Sequence, residues 1–191
     1  MKNLLVPKGA FGYLNSRKKY TALRTVLFFS ISAALYIAGI ITTGSNKNLL
    51  TIVAVMGCLP ACKSAVNFIL FLRAKGCSSA LHEKVAAFVN DSMTVFYDMY
   101  FTSYQKNYPI SHMALKGGML CGITEDPSCS CREAEKHLEQ MLVQEGIKNV
   151  TVNIFSQDDK YVDRLSRLID MQVEDHKDRE GITNLLYDIS I

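Results

Sequence analysis

Two long apolar stretches, separated by a five-residue polar break, dominate the pattern of hydrophobic and polar positions. Residues 25–43, TVLFFSISAALYIAGIITT, run for nineteen positions without a charge. At about 1.5 Å per residue they predict roughly 28 Å of helix, close to the ~30 Å hydrocarbon core of a bilayer. A second apolar run follows at 49–72. Its nearness argues against a buried helix of a soluble core. A long basic segment ahead of the first run, with no evident cleavage site behind it, argues against a secretory signal peptide. The pattern therefore predicts two transmembrane helices. The break Gly44-Ser45-Asn46-Lys47-Asn48 is turn-like and short, which makes them antiparallel neighbours.

Small residues recur every four positions on both runs: Ser30, Ala34 and Ala38, then Gly57, Ala61 and Ala65. Such faces let helix backbones approach closely in lipid, closing the hairpin or serving a homo-oligomer. Cys58 and Cys62 fall among them as small packing residues. Two positions interrupt the second run, Pro60 and Lys63. A lysine near the centre of a span costs about 2.5–3.5 kcal/mol on insertion scales. Lys63 is thus the intramembrane polar candidate. It either contacts a headgroup, carboxylate or partner, or snorkels to the interface from a helix tilted or broken at Pro60.

Beyond residue 76 the periodicity changes. Ser78 or Ser79 can cap a helix to about residue 90, with Leu81, Val85 and Phe88 at helical spacing. Residues 93–104, MTVFYDMYFTSY, favour a strand. Residues 110–115 and 119–124 predict a hairpin about Gly117-Gly118. Ser130 with Glu133 three positions on is a capping box that opens an amphipathic helix, and Gly146 stops it. Residues 149–155 alternate as a strand, and Ser156 is the expected cap of a helix to about 170. Residues 172–181 read as a solvated connector, and 185–191 as a short helix or a last strand. The expected whole is an α-helical transmembrane hairpin followed by a small α+β cytosolic domain, ordered α-β-β-β-α-β-α. Its parts are a basic tail at 1–24, the hairpin at 25–73 and the domain at 77–191.

Charge gives this division a direction. The chain is 49% hydrophobic and 20% charged, too apolar for a disordered protein. Its net charge of +3 averages two unlike parts. Residues 1–76 hold ten Lys and Arg and no acid, whereas residues 77–191 hold all eighteen acids and carry −7. Arg17, Lys18, Lys19 and Arg24 precede the first run, Arg73 and Lys75 follow the second, and the break carries only Lys47. The positive-inside rule then puts both termini in the cytoplasm. The basic tail suits the anionic inner leaflet, where each basic side chain contributes roughly 1 kcal/mol.

The chemistry-bearing residues form no coherent catalytic set. Cys77, Cys121, Cys129 and Cys131, with His112 or His137, invite a zinc reading, but Cys129-Ser130-Cys131 leaves one residue where structural sites leave two to four. Cys129 and Cys131 are thiol candidates, because a helix N-terminus lowers a thiol pKa. His82 and His137 lie on amphipathic helices, and His176 sits in a charge run. Neither a catalytic residue nor a cofactor is assigned, and nucleic acid is not an expected partner. The α-β-β-β-α-β order resembles the core of the restriction-endonuclease-like nucleases, whose strands carry an Asp and then an acid-x-Lys pair. Here Lys116 has Ala114 two residues before it, and Asp158-Asp159-Lys160 falls at a helix start. The topological resemblance therefore transfers no residue.

The segments VPKGAFGYLNSRKKY, LPACKSAVNFILFLRAK and VFYDMYFTSYQKNYPI together span most of the chain's landmarks. They resemble a family of two-span integral membrane proteins from Gram-positive, clostridial-type bacteria. That resemblance implies a multi-pass protein of the bacterial cell membrane facing the cytoplasm, and implies no activity. The expected function is a membrane-anchored interaction or scaffolding module with a protein partner. The alternative is a membrane-tethered enzyme or nucleic-acid binder of nuclease fold with a degenerate or migrated active site.

Overall fold

The computed structural model describes residues 6–45, 48–90, 92–104, 106–172 and 177–191. Lys47 and His176 lie outside the described residues. The chain forms two compact units: Leu14–Ala74, and Val6–Tyr13 together with Lys75–Ile191.

The first unit is a hairpin of α1 (Tyr13–Thr43) and α2 (Leu49–Arg73). α1 begins twelve residues before the expected span, so Arg17, Lys18, Lys19 and Arg24 are helical rather than part of a tail. Lys, Arg, Leu and Ala are strong helix formers, and no breaker separates them from the apolar run. At the turn Asn48 caps α2, accepting from the Thr51 amide at 2.7 Å. Its amide group donates back to Thr43 Oγ1 and the Ser45 carbonyl, at 2.9 and 2.7 Å. Pro60 does not break α2, which is one helix from Leu49 to Arg73.

The contact between α1 and α2 has a period of seven, not four. Thr25 Oγ1 and Ser64 Oγ share a hydrogen bond at 2.9 Å. Seven residues up α1 and seven down α2, a Cβ on Gly57 would lie 2.8 Å from Ser32 Oγ. Another seven on, a Cβ on Gly39 would lie 3.0 Å from Leu50 Cβ. Ser32, Ala54, Ala61 and Ser64 are buried in this seam. Ser30, Ala34 and Ala38 are exposed, away from it. Two helices crossing at a small angle repeat their contacts about every two turns, which is seven residues.

The second unit contains α3 (Ser79–Ala86), β1 (Thr94–Thr102), β2 (Asn107–Lys116), β3 (Met119–Ile123), α4 (Cys131–Gln144), β4 (Thr151–Phe155), α5 (Asp158–Asp170) and α6 (Arg179–Ile189). The sheet order is β1-β2-β3-β4, with β1/β2 and β2/β3 antiparallel and β3/β4 parallel. Gly117 takes φ +56 in the tight β2–β3 turn, where a Cβ would be strained. β2 starts before Pro109, which pairs with Tyr100. β3 reaches only as far as the Ile123↔His112 pair, so the missing proline donor faces no partner strand.

Helices cover both faces. One core joins β-sheet residues Phe96, Ile110, Met113 and Leu120 to Ala134 and Leu138 of α4 and Ile182 and Leu186 of α6. The other joins Tyr97, Ala114 and Cys121 to Leu81 and Val85 of α3 and Tyr161, Leu165 and Leu168 of α5. Ser130 caps α4 as expected. Ser156 does not cap α5; Gln157 holds that position without a side-chain bond, and Asp158 and Asp159 in the first turn favour the helix instead by facing the positive end of its dipole. α6 begins at Arg179, inside the stretch expected as connector, because Ile182, Leu185 and Leu186 give it a narrow apolar stripe. Ser190 then bridges Phe101, so the chain ends as helix followed by a single strand-like contact.

Candidate functional site

The densest polar chemistry lies on the α3/α5 side of the sheet, where side-chain alternation breaks in two strands at once. On β1, Phe96 and Phe101 face α4 and α6 while Tyr97 faces α3 and α5. Asp98 follows in the left-handed region at φ +56, a conformation that short polar side chains tolerate best. It sits between the Tyr97↔His112 and Met99↔Ile110 pairs, so the register is unchanged across it. β2 makes the matching shift: Ile110 and Met113 face the same core, and His112 is turned to the other.

His112 is fully buried, and its Nδ1 lies 2.6 Å from the Tyr161 hydroxyl on α5. The Tyr97 ring packs on His112 at 4.5 Å, and His82 of α3 meets Tyr97 edge-on at 5.1 Å. Phe11, from the segment ahead of α1, stacks on His82 at 4.0 Å. Burial holds His112 neutral, lowering its pKa from 6.5 to about 3, with His82 adding to the effect. Burial also pushes the Tyr161 hydroxyl well above its ordinary value.

The loop entering α3 closes over Asp98. The Cys77 amide donates to Asp98 Oδ1 at 2.7 Å, and a Cβ on Gly76 would meet that oxygen at 2.9 Å. Next to it the Ser78 amide donates to Glu125 Oε2 at 2.9 Å, while the Ser78 hydroxyl caps α3. Burial, reinforced by Glu125 and Asp98, pushes the Cys77 thiol up to about 12. Burial raises Cys121 too, against the opposing pull of Arg164.

Residues 6–13, expected as membrane-surface tail, belong to this unit. Lys8 Nζ donates at 2.7 Å to the carbonyls of both Tyr187 and Ser190, capping the C-terminus of α6. Gly9 takes φ +81, and a Cβ there would meet the Tyr187 ring at 2.8 Å. Its carbonyl accepts from the Tyr97 amide at 2.7 Å, and the Ile191 amide donates to the Tyr100 carbonyl at 3.1 Å. The outer edge of β1 is thus guarded from both directions. On the opposite edge Glu135 of α4 accepts from the Ile154 amide at 2.8 Å.

The sequence candidates are dispersed. Cys129 and Cys131 are half-buried at the start of α4 and pack against the α4/α6 core, whereas Cys77 and Cys121 lie in the other core across the sheet. Burial raises the Cys129 thiol, the largest influence on it, outweighing the bond to Thr124 that favours the thiolate. Among the described residues no group of three or more His, Cys, Asp or Glu side chains is placed to hold a metal ion. Lys63 is exposed on α2.

An open crevice of about 630 Å³ lies at the carboxyl ends of β3 and β4, lined by Thr124, Glu125, Asp126, Cys129, Ser156 and Asp158 among others. Ligands often bind at such a position in α/β sheets. Here its acids are already engaged. Glu125 holds the Ser78 amide, Asp158 pairs with Lys84 at 2.7 Å, and Asp126 accepts from the Ser128 hydroxyl and amide. Those Ser128 bonds hold the Asp126 carboxyl below its ordinary value. β2 and β3 themselves contain no Asp or Glu. Neither the family models, the curated proteins nor the solved structures contain a match to this chain.

Proposed function

We propose that this chain is a multi-pass protein of the bacterial cell membrane whose α+β domain serves as a cytosolic interaction module. The observation that carries this reading is the exposure of the hairpin's apolar surface. In the most apolar windows of α1 and α2 only 11% and 17% of residues are buried, whereas the core helix of a soluble protein is mostly buried. Ile41, Leu49 and Leu59 are 77%, 76% and 70% exposed. At ~25 cal/mol per Å² such surface is costly to leave in water.

Against catalysis stands the fate of the polar groups. Asp98 and His112 hold neighbouring elements together, and Lys116 Nζ donates to the Ile169 carbonyl at 2.9 Å. They act as internal fasteners of a rigid domain. A nuclease of this element order needs carboxylates on the central strands, and β2 and β3 supply none.

The test is alkaline carbonate extraction of host membranes, with maleimide labelling of Ser45→Cys and Tyr104→Cys chains lacking Cys58, Cys62, Cys129 and Cys131. The expected result is a carbonate-resistant protein, labelled at position 45 in intact cells and at position 104 only after lysis. A carbonate-soluble chain overturns the anchor. Magnesium- or manganese-dependent DNA cleavage by the purified chain overturns the non-catalytic reading. Crosslinking with mass spectrometry in membranes identifies the partner.

A further inference from the structure

We propose that Arg24 and Lys63 together bind the phosphodiester headgroup of an anionic phospholipid, an inference that rests on the membrane reading above. The register of the seam carries it. With Thr25 on Ser64, Ser32 on Gly57 and Gly39 on Leu50, Lys63 is level with Val26 and Arg24 with Ala65. The two cations are offset along the hairpin by two residues, roughly 3 Å.

Their direction follows from the same contacts. Arg24 and Lys63 each precede by one residue the position that faces the other helix, Thr25 and Ser64. One residue turns the side chain by about 100°. Because α1 and α2 run antiparallel, these two turns have opposite senses and bring both side chains to the same lateral face of the hairpin. Both are exposed, and residues 1–76 hold no carboxylate to neutralise them. Arg24 lies over the Phe28 ring with its guanidinium carbon 5.3 Å from the centroid, which fixes its stem. Asn67, one turn along α2 from Lys63, is exposed and adds an amide donor.

Depth supplies the ligand. The apolar run 25–43 separates this pair from the hairpin turn by roughly 28 Å, one hydrocarbon thickness. Lys63 is therefore not at the middle of the bilayer. The last ten residues of α2 run beside the basic turns of α1, and the lysine marks the inner headgroup level together with Arg24. A planar guanidinium and an ammonium side by side at that level match a phosphodiester.

The experiment is native mass spectrometry of the detergent-solubilised full chain with phosphatidylglycerol or phosphatidylcholine added, after each variant has been scored for carbonate resistance. The wild type is expected to retain phosphatidylglycerol at least fivefold over phosphatidylcholine. R24Q and K63Q should each lower that retention about threefold, and the double variant should fall to the phosphatidylcholine level. K19Q is the control. Lys19 lies six residues before Thr25, turned about 120° the other way, and its loss should change nothing. An equal loss in K19Q, retention by the double variant, or full displacement by inorganic phosphate each overturns the site. A carbonate-resistant chain without lipid preference sinks the site alone, and a carbonate-soluble wild type sinks the membrane reading with it.

Discussion

Replacing His112 with Phe tests the buried network quantitatively. At pH 7.5 the variant loses the 2.6 Å bond and leaves the Tyr161 hydroxyl unpaired in a site where Tyr161 is fully buried. An orphaned buried hydroxyl costs about 1–3 kcal/mol. For a unit of this size each kcal/mol lowers Tm by roughly 3–5 °C. The wild type carries its own liability on acidification. His112 has a folded pKa of about 3 against 6.5 when unfolded, so between those values the unfolded state binds the extra proton. Stability attributable to this residue is fully present above pH 6.5 and declines as pH falls towards 3, at about 1.4 kcal/mol per unit. By pH 5 the wild type has lost about 2 kcal/mol that the Phe variant never had to lose. The stability gap should therefore shrink below pH 6.5 and close near pH 5. The chain contains no tryptophan, so near-ultraviolet circular dichroism of its tyrosines is a suitable reporter of thermal unfolding in mild detergent. Curves for wild type and variant that stay parallel from pH 7.5 to 4.5 would refute a neutral buried His112.

Three further substitutions probe separate fasteners. Lys8→Met removes both bonds to the end of α6; about 2 kcal/mol of lost stabilisation should speed hydrogen exchange at the Tyr97 amide roughly thirtyfold, and unchanged exchange would show the segment is held by other means. Asp98→Ala orphans the Cys77 amide and leaves at φ +56 a side chain without the polar group that makes this conformation tolerable, a combined cost of about 2–4 kcal/mol read as lower Tm, most of which Asp98→Asn should avoid. Gly57→Val forces a side chain into Ser32, so oxidative crosslinking of a T25C/S64C pair in membranes should drop sharply; persistent crosslinking would contradict the seam.

The apolar runs, the Ser130 cap of α4 and the β4 alternation were legible because each is set by residues close together in the chain, although the Glu133 carboxylate pairs with Lys106 instead of closing a capping box. The first basic turns of α1 were not, since Arg17, Lys18 and Lys19 look like a solvated tail until the helix behind them sets their conformation. Small residues at four-residue spacing pointed to the wrong side of α1. The true seam mixes Thr25, Ser32 and Gly39, unlike side chains whose common property is only their spacing. α6 was half legible: 185–191 stood open between helix and strand, while the first turns, where Ile182 is the lone apolar residue among Arg179, Glu180 and polar neighbours, read as connector. His112 and Tyr161 stand 49 residues apart and meet only because two strands shift their alternation at facing positions. The one local trace of that shift is an aspartate inside the run TVFYDMYFT.

The guard on the β1 edge also imposes an order of events during synthesis. Lys8 waits for acceptors 179 and 182 residues further along the chain. At 5–20 residues per second this is a delay of roughly ten to forty seconds. For the later part of that interval, once residues 94–102 have been made, the free edge of β1 has neither Gly9 nor Ile191 secured against it. An unguarded edge invites pairing with another nascent chain. A chain truncated before Tyr187 therefore lacks both acceptors of Lys8 as well as the Ile191 amide, and leaves the outer edge of β1 open at both ends.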